Sequence, residues 1–153
     1  MKIRTLAASL LILVALPGLA HAGNWVFGPQ VGLSVNPDQF VAGLHAVAPL
    51  SRSVDFVPSA DLGFGDDAFT FALNGDVRVN VAPLSKVKPY VGAGITWYNV
   101  NPSTDGVATF SETGASLLGG MWLNRGGGLA LYLEGRIGLG DVPDFKALVG
   151  FNW

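Results

Sequence analysis

The sequence predicts an all-β protein, an antiparallel eight-stranded barrel whose strands follow one another up and down. Apolar residues alternate with polar or small ones in eight segments, which is the period of two expected of strands with two unlike faces. Clusters of Gly, Pro, Asp and Asn separate these segments. After the N-terminal region, no long segment has helical spacing, so helices are not expected in the folded domain.

The N-terminus has the three parts of a secretory signal. Lys2 and Arg4 precede a continuous apolar stretch, and the small-residue sequence AHA follows at 20–22. We therefore expect residues 1–22 to be a cleaved signal peptide and residues 23–153 to form one barrel domain. The alternative is a retained anchor helix, but the apolar stretch is short and ends at a cleavage-like site. The chain has no cysteine, which excludes disulfides and lipid attachment to a cysteine.

The composition is apolar and poor in charge. Half of the residues are hydrophobic, only 13% are charged and the mean hydropathy is +0.43, whereas roughly 25% charged residues is usual. Loss of Lys2 and Arg4 with the signal leaves seven basic residues against eleven acidic ones, a net charge near −4. This balance excludes the basic surface of a nucleic-acid-binding protein. No cofactor is expected, and no metal-binding or phosphate-binding motif is identified.

The predicted strands are 24–35, 40–50, 54–65, 68–81, 87–100, 111–123, 128–140 and 144–153. Pro29, Pro58 and Pro89 fall inside them, and each proline removes one donor from a strand ladder. These three residues are the main evidence against the predicted boundaries.

The connections alternate in charge. Those after strands 1, 3, 5 and 7 carry Asp38, Asp66, Asp67, Asp105 and Asp141. Those after strands 2, 4 and 6 carry Arg52, Lys86 and Arg125. Because successive turns of an up-and-down barrel lie at opposite ends, the sequence predicts one acidic and one basic end. We expect the acidic end to face outside the cell.

The two faces of each strand differ in size as well as polarity. In strand 4, Phe69, Phe71 and Leu73 share one face, while Asn74 and Asp76 share the other. The bulky apolar side chains of all eight strands would overfill so narrow a barrel. Ten glycines lie on the polar face instead, where they would make room for large polar side chains: Gly28, Gly32, Gly43, Gly63, Gly92, Gly94, Gly114, Gly120, Gly138 and Gly150. The apolar face is therefore expected to point outward, which only a lipid bilayer makes favourable. Val41, Val47 and Leu118 do not follow this pattern.

The alternating strands, the predicted signal and the final Phe151-Asn152-Trp153 resemble the small outer-membrane β-barrels of the OmpA/OmpX type. The resemblance implies a monomeric transmembrane barrel in a Gram-negative-type outer membrane, in contact with lipid and lipopolysaccharide. It also implies that Phe151 and Trp153 form a C-terminal signal for the barrel-assembly machinery. Most such barrels end in Phe, whereas this chain ends in Trp. Likeness of fold implies little about activity.

The inward-facing charges are expected to form a paired polar network, because unpaired buried charges are costly. They are His45, Asp55, Asp61, Asp76, Arg78, Lys88, Glu112, Glu134, Arg136 and Lys146. With Tyr90, Tyr98, Trp122 and Tyr132 they would fill the narrow interior. The sequence thus favours a structural or surface-interaction barrel with a plugged interior, not an enzyme. A narrow channel for small solutes is an alternative.

Two further alternatives concern chemistry. An enzyme that modifies the acyl chains of lipid A needs a nucleophile and a base, and a register that places His45 opposite Ser59, near Asp61, would supply them. The acidic turns GDD and DVPD are the second case, because clustered carboxylates suit a divalent cation that bridges lipopolysaccharide phosphates. Solvated turn charges are the simpler explanation of these turns.

Overall fold

The computed structural model describes residues 25–66, 68–82, 87–103, 108–123 and 129–152. The predicted signal peptide lies outside these residues, so the structure does not bear on it. The same holds for five single residues of the sequence predictions: Asp67, Lys86, Asp105, Arg125 and Trp153. No helix long and apolar enough to cross a membrane occurs in the described segments.

Eight antiparallel strands close into one barrel, in which each strand pairs with its sequence neighbours and β1 pairs with β8. The strands are β1 Val26–Val35, β2 Gln39–Pro49, β3 Val54–Phe64, β4 Ala68–Asn80, β5 Val87–Pro102, β6 Phe110–Leu123, β7 Ala130–Leu139 and β8 Phe145–Asn152. This architecture confirms the predicted fold class and strand count. The predicted boundaries agree to within two residues among the described positions.

The three prolines lie inside strands after all, and each occupies a place where one neighbouring ladder is interrupted or has ended. Pro29 lies beyond the last pair of β1 with β8, Gln30 with Gly150. Pro58 lies in the gap of the β2–β3 ladder between the pairs of Ser59 and Phe56. Pro89 lies one residue past the end of the β4–β5 ladder. A missing N–H is tolerated at such positions, so the prolines do not move the strand boundaries.

The outer surface of the barrel is apolar, as predicted. Leu44 and Ile95 expose about two thirds of their surface, and every strand contributes large apolar side chains to this face. Phe27, Val31, Phe40, Leu62, Phe69, Val77, Val91, Leu117, Leu133, Ile137, Phe145 and Phe151 are among them. The sheet closes on itself and leaves no unpaired edge strand along the wall, as hydrocarbon requires.

The three residues that did not follow the apolar pattern, Val41, Val47 and Leu118, point inward and are buried. Val47 and Leu118 pack against Val57 and three aromatic rings at one end of the lumen. The interior is therefore not uniformly polar, since a short apolar layer lies at this end of the lumen, next to its charged middle.

Interior glycines give the large polar side chains their space. A Cβ on Gly94 would lie 2.0 Å from Asp76 Oδ1, and one on Gly120 would lie 2.5 Å from the hydroxyl of Tyr90. Gly119 faces outward and differs: a Cβ on this residue would lie 3.9 Å from its nearest neighbour, the carbonyl oxygen of Tyr90. The glycine-rich inner face thus follows from close packing.

Replacing Gly120 with Ala should lower the free energy of unfolding by about 1–3 kcal/mol, because the new methyl group meets the carbonyl oxygen of Leu133 at 2.3 Å. Gly119→Ala is the matched control on the adjacent residue and should change it by less than about 0.5 kcal/mol. Urea unfolding in lipid vesicles measures both. Equal effects of the two variants would contradict the assignment of inner and outer faces.

Candidate functional site: the barrel interior

The structure places eight of the ten predicted network residues in the lumen, each no more than 4% exposed. They are His45, Asp55, Asp61, Asp76, Arg78, Glu134, Arg136 and Lys146. Lys88 and Glu112 are only half-buried, near the two ends of the barrel. The strands β2, β3, β4, β7 and β8 supply the buried set, so the charges meet from different sides of the barrel.

The centre of the lumen holds four charges from two strands that are not neighbours. On β7, Arg136 directs Nη2 at Asp76 Oδ2 of β4, at 2.6 Å, and also at Glu134 Oε1, at 2.9 Å. Arg78 of β4 forms a second ion pair with Glu134, with its Nη2 2.8 Å from Glu134 Oε2. Since β5 and β6 separate β4 from β7 in the wall, these ion pairs cross the lumen.

Arg78 also lies among three aromatic rings at one end of the ion-pair cluster. Its Cζ atom is 5.0 Å from the ring centre of Tyr90, 5.9 Å from that of Trp122 and 5.3 Å from that of Tyr132. The hydroxyl of Tyr90 donates to Glu134 Oε2 at 2.8 Å. Desolvated cation–π contacts of this kind are favourable, so the rings hold the guanidinium and close the lumen around it.

A second polar cluster surrounds Asp61. Its carboxylate accepts hydrogen bonds from Gln30 Nε2 and Asn74 Nδ2, and Lys146 Nζ lies 3.7 Å away. Asn74 accepts in turn from the hydroxyl of Thr96. The partners of Asp61 come from β1, β4 and β8, and Asn74 links the carboxylate to β5 as well. A buried carboxylate with several donors is a satisfied structural group.

The structure does not assemble the trio of Ser59, His45 and Asp61 considered as catalytic. The register does place His45 opposite Ser59. However, His45 Nε2 pairs with Asn152 Oδ1, and its Nδ1 makes no hydrogen bond to any described residue. The hydroxyl of Ser59 accepts from Asn74 instead. No base is therefore hydrogen-bonded to the candidate nucleophile among the described residues, and both His45 and Ser59 lie inside the barrel, away from lipid.

Both ends of the lumen are covered. At the end that carries the basic turns, the basic end, Trp122 and Tyr132 are fully buried beside Val47 and Val57. At the opposite, acidic end, Val142 of the β7–β8 turn packs inward against Tyr98 and Val100. In the described part of the chain, buried side chains thus cover the lumen at both ends.

Uncharged residues also belong to the network, although the network predicted from the sequence included only charged residues and His45. Gln30, Asn74, Asn80, Thr96, Ser116 and Asn152 are buried in the lumen. Asn80, for example, donates to Asp55 Oδ2 at 2.9 Å. Their position on the inward parity of each strand was the available signal. No such signal was available for Val142, because it belongs to a turn and strand parity does not apply there.

The acidic turns do not form a metal centre in the described part of the chain, where no group of three or more potential ligands occurs. Asp144 accepts a hydrogen bond from Asn36 Nδ2 at 2.8 Å. Asp38 and Asp66 lie on an open pocket of about 470 Å³ at the acidic end. The divalent-cation hypothesis for these turns stays a prediction.

No protein-family profile and no curated protein matches the sequence. Solved structures do match. The N-terminal β-barrel domain of OprF from Pseudomonas aeruginosa is 20% identical with a TM-score of 0.66, over 85% of this chain and 98% of that domain. Neisserial surface protein A, NspA, is 14% identical with a TM-score of 0.68, over 84% of this chain and 94% of its own. The Yersinia pestis outer membrane protein Ail is 10% identical with a TM-score of 0.53, over 85% and 99%.

All three are small eight-stranded outer-membrane barrels. The likeness confirms the resemblance and the fold predicted from the sequence. The outer-membrane location agrees with the shared fold and has a physical reason of its own. A closed barrel with an apolar exterior is the one sheet architecture that satisfies its backbone within a bilayer. The chain thus has the fold of the bacterial outer-membrane eight-stranded barrels.

Proposed function

We propose that this outer-membrane barrel has a structural or surface-interaction role, with a plugged interior and no enzymatic activity. The observation that carries the proposal is the chain of ion pairs that crosses the lumen from Asp76 and Arg78 to Glu134 and Arg136. A water-filled path would have to pass these side chains and the aromatic rings next to them. The ten predicted interior residues are, in this proposal, a structural network.

The surfaces left for interaction are the outer wall and the ends. The apolar wall suits lipid, and the acidic end offers Asp38, Asp66 and Asp141 to the outside. We infer that the acidic end faces the cell exterior and that the wall contacts outer-membrane lipid and lipopolysaccharide. A monomer agrees with complete closure, because the barrel wall offers no free edge to a second copy.

The last strand is proposed as the signal for the barrel-assembly machinery. Phe151 is exposed on the outer face of β8, and β8 completes the barrel by pairing with β1. A strand that closes the sheet by pairing with β1, with an aromatic residue near its end, is a suitable recognition element. Trp153 belongs to this proposal but lies outside the described residues.

The refolded protein should give no steady current in a planar lipid bilayer, because ion pairs and aromatic rings cross the lumen. A general porin in the same chamber is the positive control. Currents that scale with the amount of this protein inserted would contradict the plug and favour a narrow channel.

Glu134→Gln should lower the free energy of unfolding by about 3 kcal/mol or more, because it leaves Arg78 and Arg136 without their shared carboxylate. Glu112→Gln, in a half-buried position near the acidic end, is the matched control, with an expected change below about 0.5 kcal/mol. Urea unfolding in vesicles compares them. If both variants unfold alike, the network does not stabilise the interior.

The enzyme alternative is tested by lipid A mass spectra from cells that make the wild type, Ser59→Ala or His45→Ala. We expect identical spectra in all three strains and in cells without the protein, because neither nitrogen of His45 is hydrogen-bonded to Ser59. An acyl change that appears with the wild type and disappears in both variants would overturn the structural assignment.

A further inference from the structure

A small void lies inside the barrel beneath the β7–β8 turn. Its volume is about 10 Å³. Its lining is Thr96, Ser116, Arg136, Gly138, Val142, Pro143 and Lys146. Buried Val142 and Pro143 cover it on the acidic side, and the charged pair of Arg136 and Lys146 lies on the wall of β7 and β8. We call this space the turn chamber.

Two polar atoms of the chamber walls lack a partner. Ser116 Oγ and Arg136 Nε make no hydrogen bond to any described residue, although the two residues are only 2% and 4% exposed. The other nitrogens of Arg136 are engaged with Asp76 and Glu134. Buried polar groups are almost always hydrogen-bonded, to protein or to an ordered water. Both residues line the chamber, so a small ligand in it is a candidate partner for these atoms.

We propose that the turn chamber binds one ordered water molecule. Its size matches, since a void of roughly 10–15 Å³ on this measure holds a single water. The hydrogen bonds also balance. Arg136 Nε–H and the Ser116 hydroxyl donate to the water oxygen, and Thr96 Oγ1 accepts from the water because its own proton goes to Asn74. This gives the water three partners, a number typical of buried water.

The charges around the chamber favour water over a halide ion. The two cations on its wall are already paired, Arg136 with Asp76 and Glu134, and Lys146 with Asp61. A halide would add a buried negative charge next to two cations that carboxylates already neutralise. A neutral ligand that donates and accepts meets the same groups at no such cost.

The water also links three strands of the barrel wall. It connects β5 through Thr96, β6 through Ser116 and β7 through Arg136. The covering turn is itself fixed, because Gly138 N donates to Asp144 O at 3.0 Å and Asn36 binds the Asp144 carboxylate. Exchange with bulk water should therefore be slow compared with exchange of surface water.

The test uses the refolded barrel in detergent micelles and in crystals. In solution, we expect magnetisation transfer between a long-lived water and protons of Thr96 and Gly138. Ser116→Val should abolish it by filling the chamber. Ser116→Ala, which keeps the space, should shorten the residence time about tenfold, the equivalent of one ordinary hydrogen bond. Ser59→Ala, at another buried lumen hydroxyl, is the control and should leave it unchanged.

The crystal arm uses the wild type at high resolution, with and without bromide. One water peak within hydrogen-bond distance of Ser116 Oγ and Arg136 Nε supports the proposal, as does the absence of anomalous signal after the bromide soak. A dry chamber overturns it. A bromide peak in the chamber also overturns it and makes the site an anion site.

Discussion

Hydrocarbon supplies no hydrogen-bond partner to the backbone, and most of this structure follows from that constraint. The sheet has to close, so β8 pairs with β1 and no edge of the wall remains. Closure divides every strand into a face toward lipid and a face toward the lumen. Apolar side chains occupy the first, and the polar side chains are left with the second. With eight strands that space is narrow, so glycine is needed wherever a large side chain crosses it.

Closure also explains why the interior charges occur in tight clusters. A charge taken out of water loses several kcal/mol of hydration, which only close partners offset. Glu134 has both arginines within hydrogen-bond distance, and Tyr90 donates to it as well. Asp61 collects two amide donors and Lys146. Most of these contacts join strands that do not pair in the sheet, so the same side chains that fill the barrel also connect its opposite walls.

The strands and their faces were predictable because a period of two is a local pattern of the sequence. In β4, for example, Phe69 points outward and its neighbour Thr70 points inward. The partners within the lumen were not predictable in this way. Arg78 binds Glu134 of β7 because of the register and stagger of the whole barrel, which no local pattern encodes. The same limit applies to Asn74 and Asn152, whose roles depend on which groups lie opposite them. The inward position of Val142 could not be predicted from the sequence, because it depends on the geometry of the β7–β8 turn.

A plugged lumen restricts where this protein can act. The trio of Ser59, His45 and Asp61 has the right residue types but not the contacts, because each polar atom that chemistry would use is bound elsewhere or faces no partner. A buried network whose carboxylates are already paired has little free capacity for a substrate. In the proposed surface-interaction role, recognition takes place on the lipid-facing wall or at the two ends. Of these, the acidic end has an open pocket lined by both apolar side chains and carboxylates, so selective contacts are to be sought there first.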